Sequence, residues 1–133
     1  MESIVFDSQS LLKLYLGESG SGRVVELLRE VLDGRIEGHI NIVNLAEVYY
    51  ILRRKSKQAA EEKEESLKSY GVKVIPVDLD SSLWKRAASL KADHSMSLAD
   101  AFAGATALEF KSRLVTGAEE EFEGINGLEM ERI

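Results

Sequence analysis

The chain has 133 residues, of which 44% are hydrophobic and 30% are charged, a balance typical of a soluble domain with a hydrophobic core. It contains no cysteine, which excludes disulfide bonds and thiolate metal sites, and two histidines are too few for a histidine-rich zinc site. The net charge of −6 argues against a protein that coats DNA by bulk charge, but not against a nucleic-acid enzyme whose metal ions offset phosphate charge locally. Any metal is therefore expected to be Mg²⁺ or Mn²⁺ held by oxygen ligands.

The N-terminus and the linker pattern bear on location and domain organisation. Met1-Glu2-Ser3-Ile4 lacks the basic and long apolar parts of a signal peptide, and no later run is long enough to span a membrane. We therefore expect a cytoplasmic protein with no membrane partner. No repeat, low-complexity segment or proline-rich linker divides the chain, so residues 1–133 are predicted to form a single domain.

Strand-like and helix-like segments alternate along the chain. The predicted strands cover residues 3–6, 38–43, 72–77, 113–116 and 128–133. The predicted helices begin near Ser8, after Gly22, at Asn44, near Gln58, at Asp80 or Ser81, and at Ser97. This alternation predicts a three-layer α/β fold with a mainly parallel central sheet flanked by helices, with residues 3–6 as a central strand and residues 128–133 as an edge strand.

The helix predicted to begin at Ser97 is apolar almost all round, which is typical of a buried helix. Asp100 nevertheless lies in its first turn. A carboxylate that enters a core must be hydrogen-bonded, paired with a cation or bound to a metal. Asp100 is therefore a candidate functional residue.

Other carboxylates are expected at the same edge of the sheet. Asp7 directly follows the first strand, Glu119-Glu120-Glu121 follows the fourth strand, and Glu47 lies in the first turn of another apolar helix. Ligands of open α/β sheets bind beyond the carboxyl ends of the strands, so these acids are candidates for one shared metal site. The alternative is helix capping, because Asn44-x-x-Glu47 and Ser97-x-x-Asp100 have capping-box spacing and Asp7 can cap the first helix. A shared Mg²⁺ or Mn²⁺ site suits phosphodiester hydrolysis.

Four short motifs carry a resemblance to a known family. They are Ile4-Val5-Phe6-Asp7-Ser8, Asn44-Leu45-Ala46-Glu47-Val48, Ser97-Leu98-Ala99-Asp100-Ala101, and Leu114-Val115-Thr116-Gly117 with Phe122. In this order they resemble the PIN-domain ribonucleases, and in particular the small single-domain toxins of VapBC-type toxin–antitoxin systems and their archaeal relatives. The resemblance covers residues 3–122.

The resemblance implies a PIN fold, Mg²⁺- or Mn²⁺-dependent endonucleolytic cleavage of RNA, a homodimer and a small antitoxin partner. By position it assigns Asp7, Glu47 and Asp100 to the acidic metal site and Thr116 to the active-site threonine, with Ser8 as a polar neighbour. The family's fourth acid is usually an aspartate two residues after the threonine, where this chain has Ala118. We assign its role as a catalytic and metal-binding residue to Glu119, three residues before Phe122, with Glu120 as a substitute; the alternative is a solvated acidic turn.

Three functions therefore compete. The first is a metal-dependent ribonuclease, the toxin of a toxin–antitoxin pair. The second is a non-catalytic PIN-like module that binds RNA or a partner and has a degenerate fourth acidic position. The third is a phosphoacceptor receiver domain, which is disfavoured because the chain has Asp7 alone after its first strand and Thr116-Gly117-Ala118 where that fold needs a lysine.

Overall fold

Strands and helices alternate in the computed structural model, which describes residues 1–118 and 120–133. The strands of this described part are β1 (Ser3–Phe6), β2 (Glu37–Asn41), β3 (Lys73–Ile75), β4 (Arg113–Thr116) and β5 (Met130–Arg132). Its helices are α1 (Ser8–Tyr15), α2 (Ser21–Leu32), α3 (Ile42–Arg53), α4 (Lys57–Ser69), α5 (Ser81–Asp93) and α6 (Leu98–Glu109).

The strands form one sheet in the order β3-β2-β1-β4-β5, and every neighbouring pair is parallel. The central strand is β1, which pairs with β2 through Val5 and His39 and with β4 through Val5 and Leu114. All strands therefore end at the same edge of the sheet. The predicted central first strand and the predicted edge strand at the end of the chain are both confirmed.

Two hydrophobic layers cover the two faces of the sheet. Successive side chains of a strand point to opposite faces, and β1 follows this rule: Ile4 and Phe6 pack in one cluster, and Val5 packs in the other. The first cluster contains the apolar faces of α1, α2, α3 and α4. The second contains those of α5 and α6. The predicted three-layer α/β fold is therefore confirmed.

The predicted start of α3, with Asn44 as its cap, is wrong by three residues. Asn41 ends β2 and also caps α3, because its side chain accepts a hydrogen bond from the Val43 N–H (2.9 Å). Asn44 lies inside the helix and is fully buried. A capping box between Asn44 and Glu47 is therefore excluded, and the position of Glu47 needs another explanation.

The helix α6 is buried as predicted. Ala101, Ala103, Ala105 and Ala107 are all 0% exposed, and the helix packs between the sheet and α5. Its cap is also as predicted, since the Ser97 hydroxyl accepts a hydrogen bond from the Asp100 N–H (3.1 Å). Along the described residues, no helix is both long and apolar enough to cross a lipid bilayer.

Candidate active site

An open cleft with a volume of about 460 Å³ lies at the edge of the sheet where the strands end. Its walls come from the first turn of α1, the second turn of α3, the first turn of α6 and the loop that follows β4. The lining residues are Gln9, Glu47, Ser97, Asp100, Gly117, Ala118 and Glu121. Three of them are acidic, so the cleft has a negative potential and suits a cation.

Asp7 lies beside this cleft at the end of β1 and is 0% exposed. It caps α1, and its Oδ1 accepts hydrogen bonds from the Ser10 N–H (2.8 Å) and the Gly117 N–H (3.4 Å). Its Oδ2 accepts a short hydrogen bond from the Thr116 hydroxyl, and that hydroxyl oxygen accepts one from the Ala118 N–H (2.9 Å). Asp7 therefore does cap a helix, as the capping alternative requires, and it is also joined to Thr116 at the end of the neighbouring strand.

Burial raises the pKa of Asp7 from 3.8 to about 6. The hydrogen bonds from Thr116, Ser10 and Gly117 lower the pKa but only partly offset the burial, and the charge of Asp100 raises it further. The ionised form of Asp7 is therefore poorly stabilised by the protein alone. A cation in the cleft would favour that ionised form.

Asp100 is half-buried at the third position of α6. Burial raises its pKa, and the Ser97 hydroxyl opposes this shift. The charges of Glu121 and Glu47 raise the pKa further. Because charges interact in this way only over short distances, the carboxylates of Glu121 and Glu47 lie close enough to repel that of Asp100.

Glu47 reaches the cleft from the second turn of α3, where its side chain is half-buried. Within the described residues, neither it nor Asp100 forms a salt bridge. Helix capping does not account for Glu47, since Asn41 caps α3.

Glu121 is one of the three candidate acids after β4, but the sequence-based assignment of the fourth acid chose Glu119 instead. Glu121 comes from the loop after β4, is exposed, and lines the cleft. The predicted residue Glu119 lies outside the described residues, and its substitute Glu120 does not line the cleft; the Glu120 N–H donates to Oε2 of Glu121 (3.1 Å). The sequence signal for Glu121 is its position directly before the aromatic residue Phe122. The Phe122 side chain is buried (2% exposed) and anchors the loop, which fixes the position of Glu121.

The donor types at the cleft suit a hard divalent cation, since carboxylate and hydroxyl oxygens are the ligands of Mg²⁺ and Mn²⁺. Such an ion would also offset the repulsion among the carboxylates. However, in residues 1–118 and 120–133 no three acidic or histidine side chains are grouped closely enough to hold a metal ion. The residues supply the oxygen ligands that Mg²⁺ and Mn²⁺ prefer, and they lie at one edge of the sheet. They do not form a preassembled ligand group.

A sequence model of the PIN domain family matches residues 4–128. The chain belongs to the PIN domain family. A comparison with curated protein sequences gives no match.

The sheet order β3-β2-β1-β4-β5 also differs from the 2-1-3-4-5 order of receiver domains, so the receiver-domain alternative is wrong.

Solved structures with the same fold include several toxin–antitoxin proteins. The VapBC2 complex of Rickettsia felis bound to a promoter DNA fragment superposes with a TM-score of 0.77 at 17% identity, covering 98% of each chain. A toxin–antitoxin complex from Klebsiella pneumoniae gives 0.73 at 20% identity, covering 94% of each chain. The Sarcin-Ricin loop cleaving toxin VapC20 of Mycobacterium tuberculosis gives 0.68 at 18% identity, covering 95% of this PIN domain and 98% of that chain. At these identities, the similarity establishes the fold alone.

Proposed function

We propose that this PIN domain is a Mg²⁺- or Mn²⁺-dependent endoribonuclease and the toxin of a toxin–antitoxin pair. The observation that carries the proposal is the position of the acids: side chains from α3, α6 and the loop after β4 line one cleft, and a buried aspartate lies beside it. The resemblance to the PIN-domain ribonucleases, which assigns Asp7, Glu47 and Asp100 to the acidic metal site, supports the proposal. The toxins among the solved structures of the same fold support the same activity.

Asp7, Glu47 and Asp100 would hold the metal, with a fourth carboxylate from the loop after β4. When bound there, Mg²⁺ or Mn²⁺ would supply activation of a water molecule and stabilisation of the leaving oxygen in phosphodiester hydrolysis. The Thr116 hydroxyl fixes one oxygen of Asp7, and the Ser10 N–H fixes the other.

We place the fourth carboxylate in this loop, where Glu119, Glu120 and Glu121 are the candidates. Glu121 is favoured by its place at the cleft and by its effect on the pKa of Asp100. Glu119 stays a prediction from the sequence. Separate substitutions Glu119→Gln, Glu120→Gln and Glu121→Gln assign the role to the residue whose loss weakens Mn²⁺ binding.

The proposed partners are an RNA substrate, a small antitoxin and a second copy of the chain, all in the cytoplasm. The antitoxin is supported by the R. felis and K. pneumoniae complexes. A basic side chain of such an inhibitor would be attracted to the acidic cleft and would neutralise its charge. The homodimer and the cytoplasmic location rest on the family resemblance and the sequence.

A second candidate function is a non-catalytic PIN-like module that binds RNA or a partner protein. One observation favours it: the described residues include no preassembled metal-binding group. Its fourth acidic position would then be degenerate. This module would bind RNA with Mg²⁺, with Mn²⁺ or without either, and would cleave none.

The experiment that separates the two functions is cleavage of an RNA panel with Mg²⁺ or Mn²⁺, with EDTA, and by the Asp100→Asn variant. Ribonuclease activity predicts cleavage that is lost both with EDTA and in the variant. Cleavage that is equal in wild type and Asp100→Asn contradicts the proposed site. RNA binding without cleavage by any metal-loaded sample favours the second function.

A further inference from the structure

Asn44 is a fully buried polar residue that the proposed chemistry does not use. It is 0% exposed at the third position of α3. Its Nδ2 donates two hydrogen bonds, one to the Ser8 hydroxyl (3.1 Å) and one to the Ala99 carbonyl (3.0 Å). The Ser8 hydroxyl in turn donates to the backbone carbonyl of Asn44 (3.3 Å). One side-chain amide therefore joins α1, α3 and α6.

Each of these contacts lies beside a candidate metal ligand. Ser8 is the residue after the first ligand, Asn44 lies one helical turn before the second, and Ala99 is the residue before the third. The ligands, in that order, are Asp7, Glu47 and Asp100. The three helices that carry or begin beside these acids therefore meet at a single amide group.

We propose that Asn44 is a positioning residue that holds the N-terminal ends of α1, α3 and α6 together and so sets the spacing of three metal-binding carboxylates. The proposal rests on the proposed function, since it assumes a metal at these acids. Residues that hydrogen-bond directly to metal ligands commonly change metal affinity by about 10–100-fold when they are lost. Asn44 bonds to neighbours of the ligands, so its effect is expected at the lower end of that range. Burial of an amide is costly unless its polar atoms are hydrogen-bonded. Both Nδ2 donors of Asn44 are used to join helices, while its buried Oδ1 has no hydrogen-bond partner within the described residues.

A second buried asparagine provides the matched control. Asn41 is also 0% exposed and also joins α3 to α6, because its Nδ2 donates to the Thr106 hydroxyl (3.0 Å). Thr106 lies well along α6, away from its acidic first turn. The two asparagines therefore differ in the position of their partners. The partners of the Asn44 amide are adjacent in sequence to Asp7 and Asp100, and the partner of the Asn41 amide is not.

The experiment compares Asn44→Ser with Asn41→Ser. A serine hydroxyl ends one bond short of the asparagine Nδ2, so both variants lose the link to α6, and serine at position 41 still caps α3. Mn²⁺ affinity is measured by calorimetry, and thermal stability and amide NMR resonances are measured in metal-free protein. The informative resonances are the Ser10 and Asp100 amides, which donate to Asp7 and Ser97.

We expect both variants to lose thermal stability, and Asn44→Ser alone to bind Mn²⁺ about 10-fold more weakly. We also expect Asn44→Ser alone to shift the Ser10 and Asp100 amide resonances. Ser8→Ala removes the α1 partner of the Asn44 amide and deletes only one hydroxyl group. It should shift these resonances even if Asn44→Ser fails to fold.

Two results overturn the positioning role of Asn44. One is Mn²⁺ affinity and amide resonances in Asn44→Ser and Ser8→Ala that match wild type. The other is an equal loss of Mn²⁺ affinity and an equal resonance shift in Asn41→Ser, which would reflect stability alone. If wild type binds no Mn²⁺, the metal site of the proposed function fails, and the metal-free resonances still decide whether Asn44 positions these helix ends.

Discussion

The buried carboxyl of Asp7 should make the metal-free protein less stable than its Asp7→Asn variant near neutral pH. Its pKa is raised from 3.8 to about 6, chiefly by burial. A shift of this size corresponds to about 3 kcal/mol of lost stability when the group is ionised. Asparagine avoids that cost, and its Oδ1 can still accept from the Ser10 N–H. The Thr116 hydroxyl loses its carboxylate acceptor, at about 1 kcal/mol, so the net gain is about 2 kcal/mol.

The pH dependence follows from the same shift. Because the pKa of Asp7 is raised on folding, the folded state holds the proton more tightly, and the contribution of Asp7 to stability falls as pH rises from about 4 to about 6. Above that range the loss is complete and constant. The Asp7→Asn variant lacks this part of the pH dependence.

The assay is thermal and urea denaturation with EDTA at several pH values between 4 and 8. At pH 7.5 a gain of about 2 kcal/mol raises the melting temperature by about 8 °C for a chain of this size. The control is Asp78→Asn, an exposed aspartate, which should change stability little. An Asp7→Asn variant that is no more stable than wild type at pH 7.5, or that keeps the wild-type pH dependence, would refute this reasoning.

Two other substitutions test how the loop after β4 is held. A Cβ on Gly117 would lie 2.9 Å from the backbone carbon of Gln9, so Gly117→Ala should lower stability by about 1–3 kcal/mol in urea denaturation. Gly22→Ala, which has open space for its Cβ, should be neutral or stabilising, and equal effects at the two glycines would contradict this. Phe122→Ala should cost about 3–5 kcal/mol, because this ring is 2% exposed, and should release Glu121 from the cleft. A loss below 1 kcal/mol, measured in the same way, would mean that Phe122 does not anchor the loop.

The layered fold could be predicted because its signals are local and periodic. A short apolar run that ends at Asp7 and the alternation of strands with helices were sufficient for a central parallel strand and three layers. Helix starts depend on more than local sequence, as α3 illustrates. Asn41 both ends a strand and caps a helix, and the sequence offers Asn44 as an equally good cap. Burial decides between them, and burial depends on the packing of α1 and α6.

The candidate site was predictable only where it follows directly from an element. Asp7 directly follows β1, and Thr116 is the last residue of β4. The parallel pairing of β1 with β4 brings their side chains into contact. Glu121 lies in a loop without periodicity, so its direction depends on where Phe122 is buried. The junction at Asn44 depends on contacts between residues far apart in sequence, which no local pattern reports.

The most direct test of the proposed function is a crystal structure of the protein soaked with Mn²⁺, with the ion located by its anomalous scattering. The proposal predicts Mn²⁺ in the cleft, with carboxylate oxygens of at least two of Asp7, Glu47 and Asp100 as ligands. Mn²⁺ bound elsewhere, or a cleft without Mn²⁺ at a concentration that supports RNA cleavage, would contradict it.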